Sequence, residues 1–558
     1  MPLTTWTMLR DLAPEAAESL LLGSVGESRH MVTADLILAG ANSDPHGAWL
    51  LELGRDMLLA AWEEDPLNGA MARRLAALEK TAPGLEPDVA AAVAATAAGW
   101  RPPDDLRYFQ RIAMRREYAK VAAFIDARLA KEPDNLFWVQ RALIHAAVAE
   151  DQDYALERLS GLPVPLAFVT HTAQAAFAMR AGRHAEAVEA LSRALDTTAL
   201  PLLAERLSHC LLQAGASDAA PGVWPDLVRR RPWHVNLVLR LYDALAGRTH
   251  DVTPLPGAAA VCLYSYNKAE LLDATLAGLM DSDLDAAAQG GVTIVALDNG
   301  STDATAEVLA AWRGKAGQRL RTISLPVNVG AAAARNWLMH APETAEADFL
   351  AYLDDDTELP PDWLGRLGAA VAAYPEAGVW GCKVVDHAAP LTVQHADMHV
   401  LPGPPDAPPD PERVMGRRFV LSTTFAEVLD FGHFDYLRPC ASVTGCCHLF
   451  RARDLRQTGG FSIHLSPSQY DDVEHDLRLS RQGATAVYQG HLRVRHKKIA
   501  GRLGRTDAAQ HGNATGNMYK LQAMVTDRDL EDIMTRERET LERDYLDKAA
   551  LVAEATAS

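Results

Sequence analysis

Apolar and polar positions follow two different rhythms along this chain. Up to about residue 248 the sequence is rich in Ala, Leu, Arg and Glu and has few β-branched runs. Its apolar positions recur with the period of a helix. After Thr253-Pro254-Leu255-Pro256-Gly257 the rhythm changes. Short apolar runs now alternate with helical stretches: Ala259-Ala260-Val261-Cys262-Leu263, Val292-Thr293-Ile294-Val295-Ala296-Leu297 and Phe349-Leu350-Ala351-Tyr352-Leu353. Continuous apolar runs of this length predict buried parallel strands of an α/β domain. The Pro-rich segment before them reads as a linker.

The helical half repeats. Ala122, Ala155, Ala187 and Ala220 are spaced by 33, 32 and 33 residues, and Gly182 and Gly215 by 33. Pro133 and Pro232 lie 99 apart, and Asp65-Pro66-Leu67-Asn68 resembles Pro133-Asp134-Asn135. A period of about 33–34 with small residues at helix crossings resembles the tetratricopeptide repeat, with the clearest copy over 168–201. One helix pair cannot bury its apolar face alone, so stacked pairs are expected. Such a stack could bind a protein, a peptide or a second copy of the chain. A passive helical spacer and an Ala-rich bundle without true repeats are the other readings.

Length agrees with this division, because single cores stop growing near ~250–300 residues and the chain has 558. We therefore expect a repeat domain over 1–250, an α/β domain over 258–500 and a helical extension over 501–558. The formal net charge of -19 argues against nucleic-acid binding. The run Arg493, Arg495, His496, Lys497, Lys498, Arg502 and Arg505 could still form a local diphosphate pocket; its plainer reading is a solvated strand and loop. The six cysteines lack metal-ligand spacing and suit a reducing compartment. No secretory leader is visible at the N-terminus, and no run of ~18 uncharged apolar residues occurs. The expectation is a cytoplasmic protein whose membrane contact, if any, is peripheral and at the inner face.

Four segments carry candidate chemistry. The first strand leads into Tyr266-Asn267-Lys268-Ala269-Glu270. Ligands of a doubly wound sheet bind beyond the carboxyl ends of its strands, so a nucleotide base could rest there; Asn267 as a simple helix cap is the alternative. The second strand ends in Asp298-Asn299-Gly300-Ser301-Thr302-Asp303. Asp298 could accept hydrogen bonds from a base or ribose, while Ser301 or Asp303 caps a helix over 304–312. The third is Asn328-Val329-Gly330-Ala331-Ala332-Ala333-Ala334-Arg335-Asn336. Its small residues open a helix whose free N–H groups suit an anion, with Arg335 one turn in; an ordinary packed helix start fits equally. The fourth is Leu353-Asp354-Asp355-Asp356-Thr357. Three carboxylates directly after a buried strand repel one another, and a divalent cation such as Mg²⁺ or Mn²⁺ resolves the conflict.

In this order the four segments resemble the family 2 glycosyltransferases, which have a GT-A fold; the resemblance covers roughly residues 258–498. Val393-Gln394-His395-Ala396 resembles a segment of rhamnosyltransferase-like members. Thr444-Gly445-Cys446-Cys447, Phe450-Arg451 and Gly459-Gly460-Phe461 resemble the acceptor-side strand and helix. Tyr470-Asp471-Asp472-Val473-Glu474-His475 stands where the family usually has Glu-Asp-Val-Asp-Leu.

The resemblance implies an inverting, metal-dependent hexosyl- or deoxyhexosyltransferase using a UDP-, dTDP- or GDP-linked sugar. It implies Asp472 as the base, with Asp471 as the alternative. Asp354, Asp356 and His496 become metal ligands. Tyr266, Asn267, Glu270, Asp298, Asn299, Gly330, Arg335 and Asp355 line the donor site. Acceptors typical of such chains are a protein or peptide, or a surface glycan, and the repeats could bind the acceptor or make a homodimer. The rival is a non-catalytic scaffold with a degenerate transferase domain. Segment 404–440, with prolines at 404, 405, 408, 409 and 411, reads as a loop over the site, and 527–548 as a charged helix.

Overall fold

The regularity of the first half comes from its turns. The computed structural model describes residues 2–41, 46–216, 221–403, 417–426, 428–497 and 508–557. The chain divides into two compact units. The first contains Met1–Leu241, Phe431–His433 and Ala550–Ser558, and its described residues form helices and no strand. Four of these helices end on the same motif. Arg116, Glu150, Gly182 and Gly215 all have positive φ. The N–H of the following residue then reaches five residues back: Glu117 to Ile112, Asp151 to Ala146, Arg183 to Ala178 and Ala216 to Leu211, at 2.8–3.1 Å. This is the left-handed helix ending, which satisfies carbonyls the helix leaves open.

The helix starts repeat too. The N–H groups of Asn68, Asn135 and His234 bond to the carbonyls of Asp65, Glu132 and Arg231. Their side chains cap the N–H groups of Met71, Phe137 and Leu237. The two turns alike in sequence, and the one following Pro232, are therefore the same structure. Ala155 and Ala187 are buried, Ala122 is half-buried, and Ala220 lies outside the described residues. Helices such as Ala167–Arg180, His184–Thr197 and Pro201–Gln213 pack on their neighbours in sequence.

The second unit, Tyr242–Asp430 and Phe434–Ala549, is built on strands. They are β1 (Ala259–Ser265), β2 (Val292–Asp298), β3 (Leu320–Ser324), β4 (Phe349–Leu353), β5 (Thr357–Glu358), β6 (Val379–Asp386), β7 (Val393–His395), β8 (Val400–Pro402), β9 (Phe419–Leu421), β10 (Leu437–Cys440), β11 (Cys447–Arg451) and β12 (Ala486–His496). The three apolar runs read from the sequence are β1, β2 and β4. Ten strands make one sheet in the order β10-β12-β6-β11-β4-β1-β2-β3, with β5 on β12 and β7 on β6; β8 and β9 pair separately. The pairs β1–β2, β1–β4, β2–β3 and β6–β12 are parallel. Strand β11 runs antiparallel between β4 and β6. The core includes Val261, Leu263, Ile294, Leu353, Trp380, Leu449 and Val494.

Two expectations change and a third is extended. The segment around Pro254 is packed: Leu255 is fully buried, and its N–H bonds to the Ala287 carbonyl. Within 404–440, residues 437–440 form β10, a member of the main sheet, and 419–421 form β9, paired with β8. The prolines at 404–411 lie outside the described residues. The charged C-terminal helix runs Asp527–Ala557. Within the second unit it packs through polar pairs: Glu537 with the buried His399 at 2.7 Å and Asp544 with the half-buried Tyr374 at 2.6 Å.

Candidate active site

Strand direction assembles the site. Because β11 is antiparallel to β4 with Cys447 opposite Leu353, the residue before β11 lies beside the residue after β4. The N–H of Asp354 accordingly bonds to the Cys446 carbonyl at 3.0 Å. Strand β12 ends at His496, paired with Thr357 of β5, and Lys497 N–H bonds to the Asp356 carbonyl. Asp354, Asp356, Cys446 and His496 thus meet at one sheet edge although the sequence scatters them.

The carboxylates have distinct partners. Asp354 is the more open of them; its Oδ1 lies 3.7 Å from Arg335 and its Oδ2 3.9 Å from His496. Asp355 accepts from Lys268 Nζ at 2.7 Å and Asp356 from the same nitrogen at 3.0 Å. Burial pushes the carboxyl of Asp354 up, and the Asp356 charge adds to this against the pull of Arg335 and His496. Burial also raises Asp355, with Lys268 offsetting part of it. Burial opposes ionisation of Asp356 as well, but His496 and Lys268 outweigh it and hold Asp356 well below the usual carboxylate range. For His496, burial works against the imidazolium and the two carboxylates outweigh it, so its pKa rises.

A cation fits this edge. Oxygen, sulfur and nitrogen donors of Asp354, Cys446 and His496 lie within 4.8 Å of one another. Nε2 of His496 and Oδ1 of Asp356 approach to 2.9 Å, yet each is buried without an aligned hydrogen-bond partner. Nδ1 of His496 is held by Gln394 Oε1 at 2.8 Å. Sequence reasoning missed Lys268 and Cys446 as site residues. For Lys268 the available signal was a lone cation just past one strand end, with three carboxylates just past another. Cys446 gave none, reading as one of two small apolar residues entering a strand.

The loop residues largely hold one another. Asn267 has positive φ; its Oδ1 accepts from Thr302 N–H at 2.7 Å and its N–H donates to Ser301 Oγ at 3.1 Å. Asp298 accepts from Ser301 N–H, and Asp303 from Thr305 N–H at the start of the helix Thr305–Ala316. Asn299 bonds Asn328 and the N–H of Val329. Gly300 has positive φ, and a Cβ there would sit 2.4 Å from the Val327 backbone. Tyr266 is 43% exposed, and Glu270 is exposed on the first turn of the helix Ala269–Met280.

At the helix Ala331–His340 the expected open anion cradle is engaged. Gly330 N–H bonds Asn328 Oδ1 and Ala331 N–H bonds the Pro467 carbonyl. Arg335 is buried and turned to Asp471 at 2.5 Å and the Gly445 carbonyl at 3.2 Å. One helical turn carries position 335 round to the side facing the helix Asp471–Arg481. Of the basic run, Arg493 bonds the Pro390 carbonyl and Arg495 pairs with Glu358; Lys498, Arg502 and Arg505 lie outside the described residues.

Asp471 and Asp472 open their helix, where carboxylates favour the dipole. Asp471 is buried and given over to Arg335. Asp472 is half-buried, and its Oδ2 accepts from Gly445 N–H at 2.6 Å. A Cβ at 445 would lie 2.7 Å from Arg335 and 3.0 Å from Asp472, so the glycine lets these groups close on the strand start next to Cys446.

The mixed α/β sheet with these carboxylates at its strand ends agrees with the GT-A fold expected from the sequence. Residues 260–430 match the model of the family described as Glycosyl transferase family 2. The O-antigen biosynthesis protein RfbC of Myxococcus xanthus is 32% identical over 178 residues, 32% of this chain and 12% of that protein. Among solved structures, GalNAc-T7 with UDP, GalNAc and Mn²⁺ aligns at 13% identity and a TM-score of 0.35, over 50% of this chain and 49% of that one. The mannosyltransferase PcManGT from Pyrobaculum calidifontis, in complex with GDP-Man and Mn²⁺, aligns at 16% identity and a TM-score of 0.34, over 58% and 87%. The chain thus spans only a small part of its curated relative. No helix among the described residues is long and apolar enough to cross a membrane.

Proposed function

We propose that this protein transfers a sugar, with inversion, from a nucleotide-diphosphate sugar to a hydroxyl acceptor. The observation that carries the reading is the convergence of Asp354, Asp356 and His496 on one sheet edge, with Asp472 bound to the residue next to Cys446. Asp354 and His496, with Asp356 beside them, would hold a divalent cation. When bound, such an ion would neutralise charge on the departing diphosphate.

The remaining work falls to side chains. Asp472 takes the proton of the acceptor hydroxyl. The oxygen attacks the anomeric carbon from the face opposite the diphosphate; the C–O bond to the phosphate breaks, and the nucleoside diphosphate leaves. Tyr266, Asn267, Glu270, Asp298 and Asn299 surround the donor base and ribose at the strand ends, and Asp355 faces the ribose or sugar. Gly330 and Arg335 shape the floor, Arg335 by holding Asp471. A surface glycan is the favoured acceptor, since the relative in Myxococcus is named for O-antigen biosynthesis; a protein acceptor held by the helical repeats is the alternative.

The test is a panel of UDP-, dTDP- and GDP-linked sugars incubated with the full chain, with and without added metal. Metal-dependent release of nucleoside diphosphate from one donor class is expected. Binding of no donor under any condition would sink the reading in favour of a scaffold.

A further inference from the structure

We infer that Cys446 is a metal ligand, so that Asp354, Cys446 and His496 form a three-donor site for a borderline divalent cation of the zinc or cobalt kind. The inference rests on the sugar-transfer reading only for its fourth ligand, a diphosphate oxygen of the donor.

The donor atoms of the three residues lie within 4.8 Å of one another. Tetrahedral coordination with bonds of about 2.0–2.3 Å puts donors roughly 3.5 Å apart, so modest side-chain rotations bring them onto one ion. Asp354 Oδ2 and His496 Nε2 are already 3.9 Å apart. The histidine ring is already oriented for coordination. Gln394 Oε1 lies 2.8 Å from Nδ1, which turns Nε2 toward the cluster. Metal-ligating histidines are oriented in this manner. Nε2 is buried and sits 2.9 Å from Asp356 Oδ1, a contact that an ion bound to Nε2 would replace. Asp356 stands to the side, shared between Lys268 and His496.

Three protein ligands and one open position are the pattern of sites that bind substrate on the metal. Sulfur changes which ion is held. Mg²⁺ and Ca²⁺ favour oxygen, whereas thiolate selects softer ions such as zinc. Coordination replaces the thiol proton and any proton on Nε2, which leave to solvent, so binding releases protons. Cys447 is the internal control: the next residue, the first of β11, is absent from the cluster.

The experiment uses cobalt(II) with the metal-free full chain, read by optical absorption and by equilibrium dialysis. The expected result is one ion per chain and a near-ultraviolet sulfur-to-cobalt charge-transfer band. Cys446→Ser should remove the band and weaken binding by about 100-fold, at the upper end of what outer-shell changes already cost, while Cys447→Ser keeps both. Bound cobalt without the band in the unmodified protein overturns the inference, whatever the variants do. Transfer assays on the same samples separate the two readings: a band without transfer leaves the ligand and removes the proposed activity, and transfer without a band does the reverse.

Discussion

Asp471 and Asp472 adjoin in the chain but face different neighbours. The sequence left the base open between them, because both fit the motif. Burial separates them: Asp471 neutralises Arg335 in the interior, while Asp472 keeps partial access and one bond to Gly445 N–H. Asp472→Asn should therefore lower kcat by about 10²–10⁴-fold and leave donor binding largely intact, measured by nucleoside diphosphate release and by calorimetry. Asp471→Asn should act on stability, since it strands a buried guanidinium; a loss of about 3 kcal/mol in urea unfolding is expected. Asp476, further along the helix, accepts from Ser442 and from Val443 N–H and is pushed by burial up to about 7. A carboxyl raised on folding stabilises fully below its unfolded pKa and loses that contribution as pH rises through about 7. Asp476→Asn should accordingly melt above the parent at pH 8 and level with it only below about pH 4, where the unfolded carboxyl is also protonated.

The elements best legible in the sequence were those that one physical cause dictates. Strands β1, β2 and β4 are buried on both faces and so read as unbroken apolar runs. Strand β12 was legible only at its end, as a solvated strand and loop, because Arg493 and Arg495 alternate there and pair locally. The partnerships of Lys268 and Cys446 were hidden for another reason: each depends on a strand pairing that no local pattern encodes. In the helical unit the period was visible through Gly182 and Gly215, but Arg116 and Glu150 occupy the same left-handed turn with unfavourable residues. A non-glycine residue there costs roughly 1–2 kcal/mol, offset in part by the unfolded-state entropy of glycine. Glu150→Gly should thus stabilise by about 0.5–1 kcal/mol, read as an upward shift of the thermal transition.

At the scale of the whole molecule, the chain joins a helical unit to an α/β unit, each with its own set of packed elements. All proposed donor and metal contacts lie in the second. Saturation with nucleoside diphosphate and metal, at 100 times Kd, adds about 2.7 kcal/mol to the state that binds. Hydrogen exchange should therefore slow around 265–270, 298–303, 354–358, 445–447 and 494–496, with the helices of residues 107–213 unchanged. Protection of those helices instead would place the donor on the repeats.

The antiparallel strand β11 also governs when the proposed site can assemble during synthesis. Strands β4 and β6 leave the ribosome before the strand that separates them, and β12, with His496, follows later still. At roughly 5–20 residues per second, the sheet edges stay unpaired for several seconds, and the matched stretch 260–430 ends before β11 begins. A fragment cut at that boundary would carry the three aspartates yet none of Cys446, Asp472 and His496. Expression trimmed to the family match should give an aggregation-prone half-sheet, and the shortest productive boundary lies beyond His496.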